Sequence, residues 1–408
     1  MSNYNFIKNQ NIAQATTVSD KFVQVQEQDG SLVLKNADYY SYGGDKKVIA
    51  QISPQTQVPS NLANAQIDIK IENILDVLDF PVIQWTYVNN TGANASVVCA
   101  PLHFQRIDVT SNGSNVLFQT YDQELFMSNF WLDRTTYEAL ASTEGLTNAY
   151  ANTATVVSNG GSITMNCPLF GFFKAAKLAP YALPVPLLLR LYFNSSALIN
   201  LTGAPMTCQN LKLICHGKML KSGPKGELMS VYKNMRIPLA LSHLSVDRQS
   251  STQQLGPSQN VKLILTGITG VVAYLVMTIR LATDSAVSTG LVNYIRMDSF
   301  DVLDSQGASL NGFYNRDVQT QQISWAQNFG NNAWTNSNFA ISCWSADPRN
   351  AFACGQNSGY CIMSGNEYIS FNTPSTLASN SYIIDIRAWV HESIIIDAKN
   401  NTMKTTRI

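Results

Sequence analysis

The chain has 408 residues, with 27 Lys and Arg against 27 Asp and Glu, and is 45% hydrophobic but only 13% charged. That charge is about half the usual share, with Asn, Gln, Ser and Thr in its place. A hydrophobic, neutral chain of this kind is not disordered as a whole, and it lacks the basic excess of a globular nucleic-acid binder. The length suggests roughly two to four domains. Low charge suits surfaces that pack against copies of themselves, and it equally suits a weakly charged β-rich protein.

Residues 1–45 read as an arm. Phe22–Val25 alternates, Asp29-Gly30 is a turn pair and Ser31–Leu34 alternates again, which predicts a small hairpin. The opening residues carry no charged n-region or apolar h-region, so no secretory signal is expected. Phe6, Ile7 and Ile12 with Lys8 could dip into a membrane interface, but the segment around them is too polar to read as an amphipathic helix. Balanced charge argues against a basic genome-binding tail.

From residue 46 onward, short alternating runs predict strands: Gln66–Ile74, Val82–Val88, Val261–Leu265, Tyr274–Leu281 and Tyr382–Val390. Helical spacing is confined to Asp122–Ala141 and Arg316–Gln327. The apolar run Val271–Ile279 is closed by Arg280 and is far shorter than the ~20 residues a bilayer requires. Strands at close spacing with polar turns predict sandwiches, not βαβ units.

A weak internal repeat runs through these strands. Lys47–Ser53 resembles Arg236–Ser242, Ile67–Ile71 resembles Val261–Leu265, Ile107–Val116 resembles Phe300–Ser309, and Leu211–His216 resembles Ile384–Trp389. The offsets are 189, 194, 193 and 173 residues. Similar order and spacing favour a duplication, against two unrelated sandwiches or one irregular β-domain. The expected division is an arm (1–45), a first unit (46–220), a second unit (227–398) and a tail (399–408). Lys218–Gly226 is expected as an exposed linker. The tail, with Lys399, Lys404 and Arg407 and no acid, reads as a frayed end, with phosphate contact as the alternative.

No constellation for chemistry emerges. His103, His216, His243 and His391 show no metal-ligand spacing, and His391-Glu392 is expected at a strand end. Cys99, Cys167, Cys208, Cys215, Cys343, Cys354 and Cys361 form no C-x-x-C pair and read as reduced, buried thiols. Phosphate-loop and dinucleotide motifs are absent, and Ser358 lacks the spacing of a nucleophile elbow. Asp122, Glu124 and Asp133 could supply a glycosidase pair, but so could acids in any β-protein. No catalytic, cofactor-binding or metal residue is therefore assigned.

The segment Ser162–Phe193 is more informative. Two apolar runs, Pro168–Phe173 and Val185–Phe193, flank a connector with Pro180, Pro184 and Pro186, predicting strand, stiff corner, strand. With its Phe-Phe pair, Leu-Pro connector and final Arg-Leu-Tyr-Phe, this segment resembles the F–G region of double jelly-roll major capsid proteins. That family is the tectivirus–adenovirus lineage, and the length resembles its compact bacterial-virus members. The resemblance implies an all-β fold of two tandem eight-stranded jelly rolls, with short helices in the E–F loops and an N-terminal arm. It implies no enzyme activity and no cofactor. It implies homotrimeric, pseudo-hexagonal capsomers tiling an icosahedral virion shell that assembles in the host cytoplasm. Partners would be further trimers, minor capsid and vertex proteins and an internal viral membrane facing the arm, with no sequence-specific nucleic acid. The rival readings are a carbohydrate- or receptor-binding sandwich using Trp325, Trp334 and Trp344, and a glycosidase using Glu124 and Asp133.

Overall fold

In the computed structural model, residues 23–26, 32–36, 46–71, 73, 75–122, 124–125, 154–202, 204–283, 294–310, 314–315, 340–345 and 359–407 are described. Strands β1 (Val23–Gln26) and β2 (Leu32–Asn36) form the arm. Then follow β3 (Lys46–Ile52), β4 (Gln66–Ile71), β5 (Val77–Val88), β6 (Ala95–Val98), β7 (Phe104–Ser111) and β8 (Asn115–Tyr121). After them come β9 (Ala154–Val157), β10 (Ser162–Pro168), β11 (Leu187–Phe193), β12 (Asn200–Thr202) and β13 (Thr207–Met219). The second half holds β14 (Leu239–Leu255), β15 (Asn260–Ile264), β16 (Gly270–Leu281), β17 (Ser299–Leu303), β18 (Tyr314–Asn315) and β19 (Ala340–Cys343). It ends with β20 (Cys361–Met363), β21 (Tyr368–Asn372), β22 (Asn380–Asp397) and β23 (Thr402–Arg407). Helices α1 (Phe172–Ala176), α2 (Ser196–Ile199) and α3 (Ser222–Tyr232) are short.

Alternation makes these strands. In β11, Leu187, Leu189, Leu191 and Phe193 are buried while Leu188, Arg190 and Tyr192 between them are half-buried. The period of two places the apolar set on the core face and Arg190 on the outer face, where it holds Asp68 at 2.9 Å.

The first half pairs a sheet β10-β5-β13-β3 with a sheet β4-β11-β7-β8. In the second half β14-β22-β16-β19 lie in an eight-stranded sheet, opposite β15-β21-β17-β18. Lettering the eight main strands of each half B to I in chain order, both halves read B-I-D-G and C-H-E-F. Each half is thus a jelly roll, and the fold is a double jelly roll. The four repeated segments fall on strands B, C, E and I of both halves. Strand register refines the B pair: Ile49 faces His216 as Val246 faces Trp389, so the aligned segments share a strand but not a residue register.

Several expectations are corrected. The E–F connection of the first roll is a tight turn at Asn112-Gly113, both with positive φ, 52° and 75°, which leaves no room for a helix. The long connection follows strand F instead, so Asp122–Ala141 belongs between F and G and lies mostly outside the described residues, as does all of Arg316–Gln327. Segment Ser162–Phe193 spans strands G and H, not F and G. Its first run is not a strand throughout: β10 stops at Pro168, and Phe172-Phe173 open α1. The predicted linker Lys218–Gly226 runs from the end of β13 into the start of α3 and is largely exposed, with Pro224 in the first turn, where its missing N–H costs nothing. The arm hairpin is present, and β2 adds parallel to β14 with Leu32 beside Leu239.

The tail is not frayed. Its strand β23 pairs with β22, Met403 is fully buried, and Arg407 holds Asp247 with a 2.9 Å bond from Nη1. His391 and Glu392 lie within β22, not at its end, because the strand continues to Asp397.

Two cores result. One gathers Trp85, Phe104, Phe193 and Ile67 of the first roll. The other gathers Leu275, Phe300, Phe371 and Ile384 of the second. Strands β14 and β22 are long enough, at 17 and 18 residues, to overrun the second roll. Leu239, Leu241, Ile394 and Ile396 at their near ends, with Met403, join the first core.

Candidate functional site

The residues that chemistry would require are occupied with structure. His103 is fully buried beside Trp85 and Tyr87, its Nδ1 3.0 Å from the Cys99 carbonyl, and burial lowers its pKa to about 4. His243 is buried between Phe118 and Phe172, with Nε2 3.3 Å from Glu392. His391 is also buried, while His216 stacks half-buried on Phe80. Burial pushes the Cys208 and Cys215 thiols up to about 12 and Cys361 up to about 11, away from thiolate reactivity. Cys354 lies outside the described residues. Among the described residues, no group of three His, Cys, Asp or Glu is arranged to hold a metal ion.

Glu124 has a different occupation from the one a glycosidase would give it. Its carboxylate is buried at the boundary of the rolls and accepts from Arg248 Nη2 at 2.6 Å, from Arg248 Nε, and from the Tyr121 amide at 3.0 Å. Arg387 Nε lies 3.7 Å away, and the Arg248 guanidinium sits 4.3 Å over the Tyr121 ring. Arg248 is on strand B and Arg387 on strand I of the second roll, so one acid of the first roll ties both. Asp133, its proposed partner, lies outside the described residues. Trp344 donates its indole N–H to the Leu310 carbonyl at 3.1 Å and packs on the second core. Trp325 and Trp334 lie outside the described residues.

The boundary between the rolls is therefore the site with most side-chain chemistry. It encloses a cleft of about 40 Å³ lined by Ile107, Val109, Phe118, Phe173, Val246 and Trp389, among others. That is space for a few waters at most, not for a substrate. Helix α3, which leads out of the first roll, packs back on it. Lys225 meets buried Asp76 at 2.6 Å, Tyr181 donates to the Lys225 carbonyl at 2.8 Å, and Tyr232 accepts the Ala179 amide at 3.2 Å. A larger hollow of about 550 Å³ beside Lys70, Asn73, Pro180 and Pro184 carries, among the described residues, one cation and no carboxylate. This geometry fits a device for holding two sandwiches at a fixed angle. Sequence reasoning weighed Glu124 only as one acid of a pair that any β-protein offers and did not single out Arg248 or Arg387; no local signal marks a pair separated by more than a hundred residues.

No protein-family profile and no curated protein sequence matches this chain. Solved structures do. The chain is similar to the capsid protein in a quasi-atomic model of the PBCV-1 virus capsid, with 14% identity, TM-score 0.67, and 90% of this chain and 98% of that one covered. It is similar to the Faustovirus major capsid protein, with 13% identity, TM-score 0.62 and 97% of both chains covered. It is also similar to the mavirus major capsid protein, with 8% identity, TM-score 0.51, and 88% and 90% covered. At such identities the likeness is one of fold.

Proposed function

We propose that this chain is a major capsid protein, and that three copies form a pseudo-hexagonal capsomer tiling an icosahedral virion shell. The observation that carries the reading is the repeated B-I-D-G and C-H-E-F sandwich, locked by Glu124, Arg248 and Arg387 into one body. Two like wedges at a fixed angle give six wedges when threefold symmetry closes the ring, and six wedges tile a plane. The similar structures of PBCV-1, Faustovirus and mavirus are capsid proteins by name, which supports the same role here. The role is structural, not catalytic, and the protein acts in the virion shell.

Within the trimer the contact is of the obligate kind, on the order of 2,000–5,000 Å² and rather apolar. Neighbouring trimers, minor capsid proteins and vertex proteins meet its rim through smaller polar contacts. The inner end is the one carrying the arm and α3. Support comes from charge: residues 218–236, in and beside α3, hold five Lys and Arg and a single acid, Glu227, in a chain neutral overall. Exposed Lys221, Lys233, Arg236 and Met235 there suit an anionic membrane surface.

Light scattering of the purified protein tests the reading. The expected result is a mass of three chains with a hexagonal outline in negative stain. A chain that stays monomeric at high concentration overturns it.

A further inference from the structure

The duplication leaves one surface covered in the second roll and largely open in the first. On the outer face of the second roll's B-I-D-G sheet, Val246, Trp389 and Tyr274 stand side by side on strands B, I and D. The two rings stack with centroids 4.6 Å apart. All three side chains are buried, at 9%, 3% and 0% exposure. Val246 and Trp389 face the first roll of the same chain across the boundary cleft, where Phe118 of strand F and Phe170 and Phe173 just after strand G line its other side.

Strands B, I and D of the first roll present the equivalent row, Ile49, His216 and Phe80. His216 stacks on Phe80 with centroids 4.7 Å apart, matching the pair in the second roll. The sequence repeat independently sets His216 against Trp389. Yet this row is covered only at one end, where the Phe170 ring lies 5.0 Å from Phe80: Ile49 is 63% exposed, and His216 and Phe80 are only half-buried. Ile214 and Val82, paired one step along the same face, are half-buried as well. An apolar row on an outer sheet face marks an interaction surface.

We propose that the Ile49–His216–Phe80 row is the docking surface for the second roll of a neighbouring copy, which covers it with the edge that carries its own F and G strands, β18 and β19. The contact repeats between chains what the seam does within the chain. It is head-to-tail, so it propagates from copy to copy and closes into a ring. This deepens the capsomer reading and rests on it, since it names the face by which copies meet.

The test compares the wild-type protein with Ile49→Glu and Ile214→Glu, by mass photometry over a dilution series. Both residues point outward, and unchanged circular dichroism establishes that the variants fold. Ile264→Glu, a 59% exposed position on strand C of the second roll, serves as control. A charge buried in the row is expected to raise the trimer dissociation constant about thirtyfold or more, with the control unchanged. His216 gives a second readout, because the other three histidines are buried. Its carbethoxylation by diethyl pyrocarbonate is expected to be at least about tenfold slower in the trimer than in diluted monomer. Trimers that survive both substitutions, or dissociate equally in the control, overturn the surface and leave the capsid reading standing. Equal His216 reactivity in trimer and monomer does the same. A wild-type chain that never associates overturns both.

Discussion

At the scale of single residues, burial decides what each titratable group can do. His103 is held neutral by burial, with its pKa lowered to about 4 from an ordinary 6.5. The unfolded chain therefore binds a proton that the folded chain does not, and stability rises with pH between those two values. Acidification from pH 7 to pH 5 is expected to cost about 2 kcal/mol through this residue. Burial also lowers the His216 pKa, which adds to the loss in the same direction. Urea midpoints at the two pH values measure the effect, and His103→Gln, which keeps a donor for the Cys99 carbonyl, should flatten the difference. Gly217 faces a harder limit. A Cβ there would lie 2.1 Å from the Val77 carbonyl oxygen, where β13 shifts register against β5. Gly217→Ala is expected to cost about 3 kcal/mol or more, read as a fall in the denaturant midpoint at unchanged slope. Neither effect is visible in sequence, where His103 is one histidine of four and Gly217 one glycine of 23.

Elements were legible to the extent that their signal was local. Alternation in Gln66–Ile74, Val261–Leu265 and Tyr382–Val390 located strands, and Asp29-Gly30 located the arm's hairpin. Alternation failed where a run was apolar on every residue. Pro168–Phe173 reads as a buried strand, but Pro168 cannot donate to a ladder and the following residues turn into α1. The tail failed for a different reason. Lys399, Lys404 and Arg407 look solvated until β22 supplies a paired edge and Asp247 a counter-charge. Strand β23 should therefore contribute to stability. Met403→Ala is expected to cost about 2–5 kcal/mol, since it opens a cavity in the first core, and a thermal melt would show it. Glu124→Ala strips the carboxylate from Arg248 and Arg387 at the boundary between rolls. Its expected cost is about 3 kcal/mol, measured by chemical unfolding, because the arginines would keep the desolvation without the partner.

On the scale of the whole molecule, the two rolls are similar in topology but not in environment. The row Val246–Trp389–Tyr274 is buried and the row Ile49–His216–Phe80 is largely open, although strand order and register are the same. That asymmetry is what a single chain from a ring of six wedges would show, with one seam inside it and the other between copies. The sequence by itself determined the β-class, the tandem repeat and the absence of a bilayer-length apolar run, because alternation, turn pairs and run length are properties of neighbouring residues. Only the tertiary structure decided that Glu124 is a clasp, that the tail is a strand and that His216 stands where Trp389 stands. Each of those depends on which sheet faces meet, and that is set by packing between residues far apart in the chain.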